Sequence, residues 1–126
     1  MRTSVQCPDI VIANGGTVSN PVVSERYASD AESITIQSPA VLAEAATIDI
    51  SNDFDVNYQL NGLTLAAAVA AATWAAYVDA SGTPIALGGP SEAVRLDSFG
   101  CAAWRIKVAS AAAAAHTFKV YKEVLT

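Results

Sequence analysis

The sequence predicts an all-β protein, an antiparallel β-sandwich or jelly-roll-like fold of about eight strands with at most one short helix. Three observations carry that reading. In residues 74–124 the segments WAAYVDA, TPIALGG, EAVRLDS, AAWRIKVAS and HTFKVYKEV follow one another at short spacing. Within three of them apolar and polar side chains alternate: Trp104, Ile106 and Val108 against Arg105 and Lys107, Val94 and Leu96 against Arg95 and Asp97, Phe118 and Val120 against Thr117 and Lys119. Successive strand side chains point to opposite faces, so the alternation describes half-buried strands. Between the segments stand residues that bend the chain, and short strands separated by turns are the pattern of a sandwich or barrel.

Taken in order, Pro8 opens a short strand, DIVIA, which Asn14, Gly15 and Gly16 stop by supplying residues that accept positive φ. The segment TVSNPVVS is extended, and Pro21 cannot donate to a ladder, so it belongs on an edge or in an arm. Residues 1–24 are therefore read as an N-terminal extended arm or edge strand, and residues 25–126 as the β-sandwich domain. Polar residues 25–31, with Arg26, Tyr27 and Asp30, read as a loop. SITIQ and ATIDIS are alternating strands. The SPAVLAEA between them is too long for a tight hairpin, which suits a passage from one sheet to the other with Leu42 anchored in the core. Residues 52–61 are acidic and turn-rich and end at Asn61 and Gly62, a strong turn signal. LTLAAAVAAAT reads as one or two turns of helix capping the sandwich, with an irregular loop as the alternative, since alanine favours helix but so short a helix is marginal alone. Asp79 to Pro84 reads as a hairpin loop with Gly82 in a left-handed conformation. The second alanine run, 109–115, lies between two strands and reads as a hairpin connection.

Composition narrows the function classes. At 126 residues the chain is most simply one domain. Seven Lys plus Arg against twelve Asp plus Glu, net -5, argue against a nucleic-acid partner, whose phosphates such a surface repels. Only 15% of residues are charged, and interfaces are depleted in charge at their centres, so the composition points toward assembly, beside the plainer reading of a compact acidic monomer. The start MRTSVQCPDIVIA lacks the apolar run of a signal peptide. The longest low-charge stretch, residues 63–78, falls short of the roughly 20 apolar residues that span a bilayer and carries Thr64 and Thr73, so no membrane partner is expected. Cys7 and Cys101 read as two buried reduced thiols, or as a disulfide pair where their Cα atoms come within about 7 Å, and they are too few for a zinc site.

Chemistry-bearing patterns are few. His116, the one histidine, starts a strand after an alanine run and reads as a solvated rim residue rather than a base. Asp53, Phe54, Asp55, Val56 and Asn57 match the opening of a calcium loop. Tyr58 then stands where that loop needs Gly, and Thr64 where it needs Glu, leaving Asp49, Asp53 and Asp55 as a calcium candidate beside the reading of an acidic exposed loop. No cofactor and no catalytic residue is expected. Trp74, Tyr77 and Trp104 are the aromatics a sugar-binding module would use. Parity assigns Trp104 to the core and Tyr77, opposite in parity to Trp74, to an exposed contact.

The succession SITIQSPAVL, TIDIS, WAAYVDASGTPIALGG and AAWRIKVASAAAAAHTFKVYKEV resembles small structural proteins of tailed-bacteriophage virions. The resemblance spans residues 33–124. It implies a non-enzymatic subunit of the particle, a capsid decoration (cement) protein on the virion's outer surface, assembled in the host cytoplasm, with the major capsid protein and its own copies, as dimer or trimer, for partners. The extended N-terminal segment fits a contact with such a partner, with Val18, Pro21, Val22, Val23 and Tyr77 as candidate interaction residues. The alternative is a tail- or fibre-associated module recognising host glycan. A small hydrolase is a third reading.

Overall fold

The computed structural model describes residues 2–23, 33–42, 45–54, 58, 60–97, 103–109 and 112–125. Among them are nine strands: β1 Arg2–Gln6, β2 Ile10–Ile12, β3 Val22–Val23, β4 Ser33–Gln37, β5 Ala46–Ser51, β6 Ala75–Ala76, β7 Ala93–Asp97, β8 Ala103–Val108 and β9 His116–Leu125. One seven-residue helix, α1, spans Leu65–Ala71.

All pairing is antiparallel and nested. β1 and β2 both lie along β9, one strand interrupted near Pro8, with Cys7 N–H donating to Val120 O at 2.8 Å across the break. Inside that pair β3 lies on β8, β4 on β7 and β5 on β6. The pairs fold over so that β9 meets β4 and β8 meets β5. One sheet runs β1-β9-β4-β7 with β2 continuing the β1 edge, and the other runs β3-β8-β5-β6. Counting β1 and β2 as one, this is the eight-strand, two-sheet order of a jelly roll.

Among the described residues, two corners carry paired chains from sheet to sheet. At the first, Gly15 N–H donates to Ala112 O at 2.7 Å and Ala112 N–H to Gly16 O at 3.0 Å. Residues 109–115 therefore join strands of different sheets, and the hairpin expected there is corrected. β8 and β9 pair with the N-terminal segment instead of with each other, because the bent N-terminal chain occupies the edge beside both. At the second corner Ser38 N–H donates to Glu92 O at 2.9 Å and Leu87 N–H to Ala46 O at 2.8 Å. Here SPAVLAEA passes between sheets as expected, and Leu42 is buried.

Strand parity fills the space between the sheets. Trp104, Ile106 and Val108 from β8 meet Phe118 and Val120 from β9, and Ile34, Ile36 and Ile48 complete the wall, each no more than 1% exposed. Burying such a side chain contributes about 1.5–3 kcal/mol. Ile10 and Ile12 of β2 belong to the same core, so the N-terminal segment forms edge strands of this sandwich. His116 is a second correction. It is buried, 7% exposed, because it shares parity with Phe118 and Val120 on the inward face of β9. Cys7 is also buried, and Cys101 lies outside the described residues, as does the loop expected over 25–31.

The β6 edge is interrupted by an excursion. Tyr77 N–H donates to Ile48 O at 2.8 Å, the chain leaves the sheet as a hairpin, and it returns where Ala86 bridges Thr47. Asp79 Oδ1 closes the turn by accepting from Ser81 N–H at 2.9 Å and Thr83 N–H at 3.1 Å. Gly82 sits at φ +84, the left-handed conformation expected of it.

Candidate interaction surface

The outer face of the second sheet is not left to water. Ala103 and Arg105 have the parity opposite to Trp104, so they point away from the main core, as do Asp49 and Ser51 of β5. A second cluster of Phe54, Ala68 and Ala103 forms there, with Leu63, Val69, Ala72 and Trp74 packed against it. α1 therefore lies on this outer face. Its start is set by Thr64, whose Oγ1 accepts from Ala67 N–H at 3.2 Å, supplying a partner for one of the amides that a first helical turn leaves unpaired. Trp74 Nε1–H donates to Val69 O at 3.0 Å and ties the helix to the chain entering β6.

Next to this cluster, on Trp74, lies a charged stack. The Arg105 guanidinium sits 4.3 Å from the centre of the Trp74 ring, and its Nε and Nη2 each approach Asp49 Oδ2 at 3.4 Å. Asp53 stands nearby in a shallow hollow with Ile50, Thr73 and Ala75. Its Oδ1 accepts from Thr73 N–H at 2.9 Å and Ser51 O–H at 2.8 Å. Those bonds, the Thr73 amide first, hold its carboxyl below the usual carboxylate range. Of the calcium candidate Asp49, Asp53 and Asp55, the first is committed to Arg105, the second to Thr73 and Ser51, and Asp55 lies outside the described residues. The described residues hold no group of three side chains placed to bind a metal ion.

Beside α1 opens an apolar groove of about 380 Å³. Residues 18–21 form one wall, and Leu65, Ala66 and Val69 the other. Its position follows from register. Val18 bridges Lys107, an outward residue of β8, and so emerges on the face that carries the helix. Ser19 is buried and fastens this wall: its N–H donates to Ile106 O at 2.8 Å while its Oγ accepts from Ile106 N–H at 2.9 Å. Leu65 is 45% exposed on the groove's rim.

The candidate interaction residues thus divide. Val18 and Pro21 meet at the groove. The backbone of Val22 and Val23 pairs with Trp104 and Ala103 next to it. Tyr77 does not join them. It is half-buried at the opposite edge of the sheet, packed on the main core, because it falls beside inward-facing Ile48 while Trp74 falls on the outer cluster. The parity difference between the two aromatics was readable, but which of them faced outward depended on register with β5. Leu65, Ala66 and Val69 were not foreseen as a contact wall. Their signal was LAAAVAA itself, a helix apolar on every face, which requires cover on more than one side.

No known protein family, curated protein or solved structure matches this chain.

Proposed function

We propose that this protein is a non-enzymatic structural component of a tailed-bacteriophage particle, a decoration protein that seats on the outer capsid surface and strengthens it. The observation that carries the reading is the nested jelly roll with an uncharged apolar groove open beside its β3 edge. Jelly rolls are a recurrent architecture of viral capsid domains. A groove lined without charge, on a chain of net -5, suits apolar contact with another protein surface. The virion-like succession of strands from residue 33 onward supports the same assignment. The architecture also serves lectins. Here Trp74 is engaged by Arg105 and Val69, which favours the structural role over stacking on a sugar. The test is stoichiometry. Purified particles carrying the protein are expected to hold it in fixed proportion to the major capsid protein, and capsids lacking it are expected to regain that proportion, and resistance to heat, when the purified protein is added. A few copies per particle confined to the tail would overturn the capsid assignment.

A further inference from the structure

We propose that Asn61 is a site of self-modification: the backbone nitrogen of Gly62 attacks the Asn61 side-chain amide, ammonia leaves, and water opens the resulting imide to aspartate or isoaspartate. The chain holds two Asn-Gly pairs, Asn14-Gly15 and Asn61-Gly62. A glycine in second place has no side chain to obstruct its own nitrogen, so both pairs favour this ring closure. Exposure does not tell them apart, for all four residues are exposed. Nor does backbone shape: Gly15 stands at φ +81 and Gly62 at φ +66, each with open space where a Cβ would be. The attacking atom does. Gly15 N–H donates to Ala112 O at 2.7 Å, and the same corner is closed by Ala112 N–H on Gly16 O at 3.0 Å and Gly16 N–H on Ala13 O at 2.9 Å. That nitrogen must lose its partner, and the corner must open, before it can reach Asn14 Cγ. Gly62 N–H meets no acceptor among the described residues, and Leu60 just before the pair is 80% exposed. Its nitrogen is free to turn onto Asn61 Cγ.

The step balances with water as the sole co-reactant. The bond from Gly62 N to Asn61 Cγ forms as the Cγ–Nδ2 bond breaks, and the Gly62 amide proton leaves with the ammonia. Water then adds at one of the two imide carbonyls. Addition at Cγ restores the ordinary backbone and gives aspartate; addition at the main-chain carbonyl gives isoaspartate, whose backbone runs through the side chain and is one carbon longer. Either product adds a carboxylate to a chain of net -5. Isoaspartate also lengthens the chain just ahead of Leu63, which packs on the outer cluster of Phe54, Ala68 and Ala103. The reaction needs only this chain, so it stands or falls apart from the capsid assignment.

Peptide mass spectrometry of the full chain, aged at mildly alkaline pH both folded and in urea, tests the site. In the folded protein Asn61 is expected to convert about tenfold or more faster than Asn14, because a nitrogen held at a corner reacts only through local opening. In urea, with the corner gone, the two rates are expected to converge. Asn61→Gln is expected to remove the early acidic species from anion exchange, and Asn14→Gln to leave it in place. A folded protein in which Asn61 does not convert, or in which Asn14 converts as fast, overturns the proposal. So does a preference for Asn61 that urea leaves unchanged, because the selectivity would then belong to the neighbouring residues and not to the fold.

Discussion

Arg105 lies over Trp74 with its guanidinium carbon 4.3 Å from the ring centre, and the same guanidinium faces Asp49 at 3.4 Å. One side chain thus joins β8, β5 and the segment that leads from α1 into β6. The Asp49 side chain is 9% exposed and that of Arg105 is 18% exposed, so removing the cation leaves a carboxylate buried and unpaired. Arg105→Ala is expected to destabilise the fold by about 3 kcal/mol. The N–O separations exceed the 2.7–2.9 Å of a strong charge-assisted bond, so the pair itself is modest and most of that loss is the stranded charge. The double variant Asp49→Ala, Arg105→Ala is therefore expected to be more stable than the sum of the single variants implies, as urea denaturation in a double-mutant cycle reports.

Gly88 is required by space. A Cβ there would stand 2.5 Å from the Glu92 Cβ and 2.9 Å from Glu92 Oε2. Glu92 cannot give way cheaply, because its Oε2 accepts from Gly89 N–H at 2.8 Å and its carbonyl from Ser38 N–H at 2.9 Å, holding the second corner together. Gly88→Ala is expected to cost about 1–3 kcal/mol. Gly89→Ala, whose added carbon finds its nearest neighbour at 3.7 Å, is the control and is expected to be near neutral in the same thermal melts.

Alternation alone located β4, β5, β7, β8 and β9 and sorted Trp104 from Arg105, because parity is a local property of a strand. The length of SPAVLAEA disclosed a passage between sheets. Pairing across long separations was not local. Residues 109–115 read as a hairpin because the strands on either side are neighbours in sequence, whereas β8 pairs with β3 and β5, and β9 with β1, β2 and β4. His116 differs for another reason: its place at the start of a strand after an alanine run reads as a rim, whereas its parity with Phe118 turns it inward. The groove joins residue 18 to residue 65 and exists only once β3 and α1 share one face.

Truncation separates the two parts of the N-terminal edge. Residues 3–6 of β1 are exposed and are held by ladder bonds to β9, whereas Ile10 and Ile12 are 3% and 0% exposed in the main core. A chain starting at residue 7 is expected to fold with a modestly lowered melting temperature. One starting at residue 13 loses two buried isoleucines, about 3–6 kcal/mol of apolar burial, a large share of the roughly 5–15 kcal/mol that holds a domain folded. It is expected to lose its cooperative transition. Equal behaviour of the two truncations would show that β2 adds nothing beyond β1.

Acid sensitivity follows from Asp53. The Thr73 amide and the Ser51 hydroxyl both donate to its carboxylate, and the folded state lowers its pKa below the value of the unfolded chain, near 4 for an aspartate. A group with a depressed folded pKa binds its proton more readily in the unfolded chain, so its stabilisation is fully present above the unfolded value and is lost as pH falls through the folded one. Asp53→Ala is therefore expected to melt below the wild type at neutral pH, and the gap between the two is expected to narrow as pH falls below about 4. Because the variant lacks the titrating group, the narrowing must come from the wild-type curve bending down while the variant's changes less. A gap that stays constant from neutral pH to the acid limit would mean that the Thr73 and Ser51 bonds do not distinguish the carboxylate from the carboxylic acid.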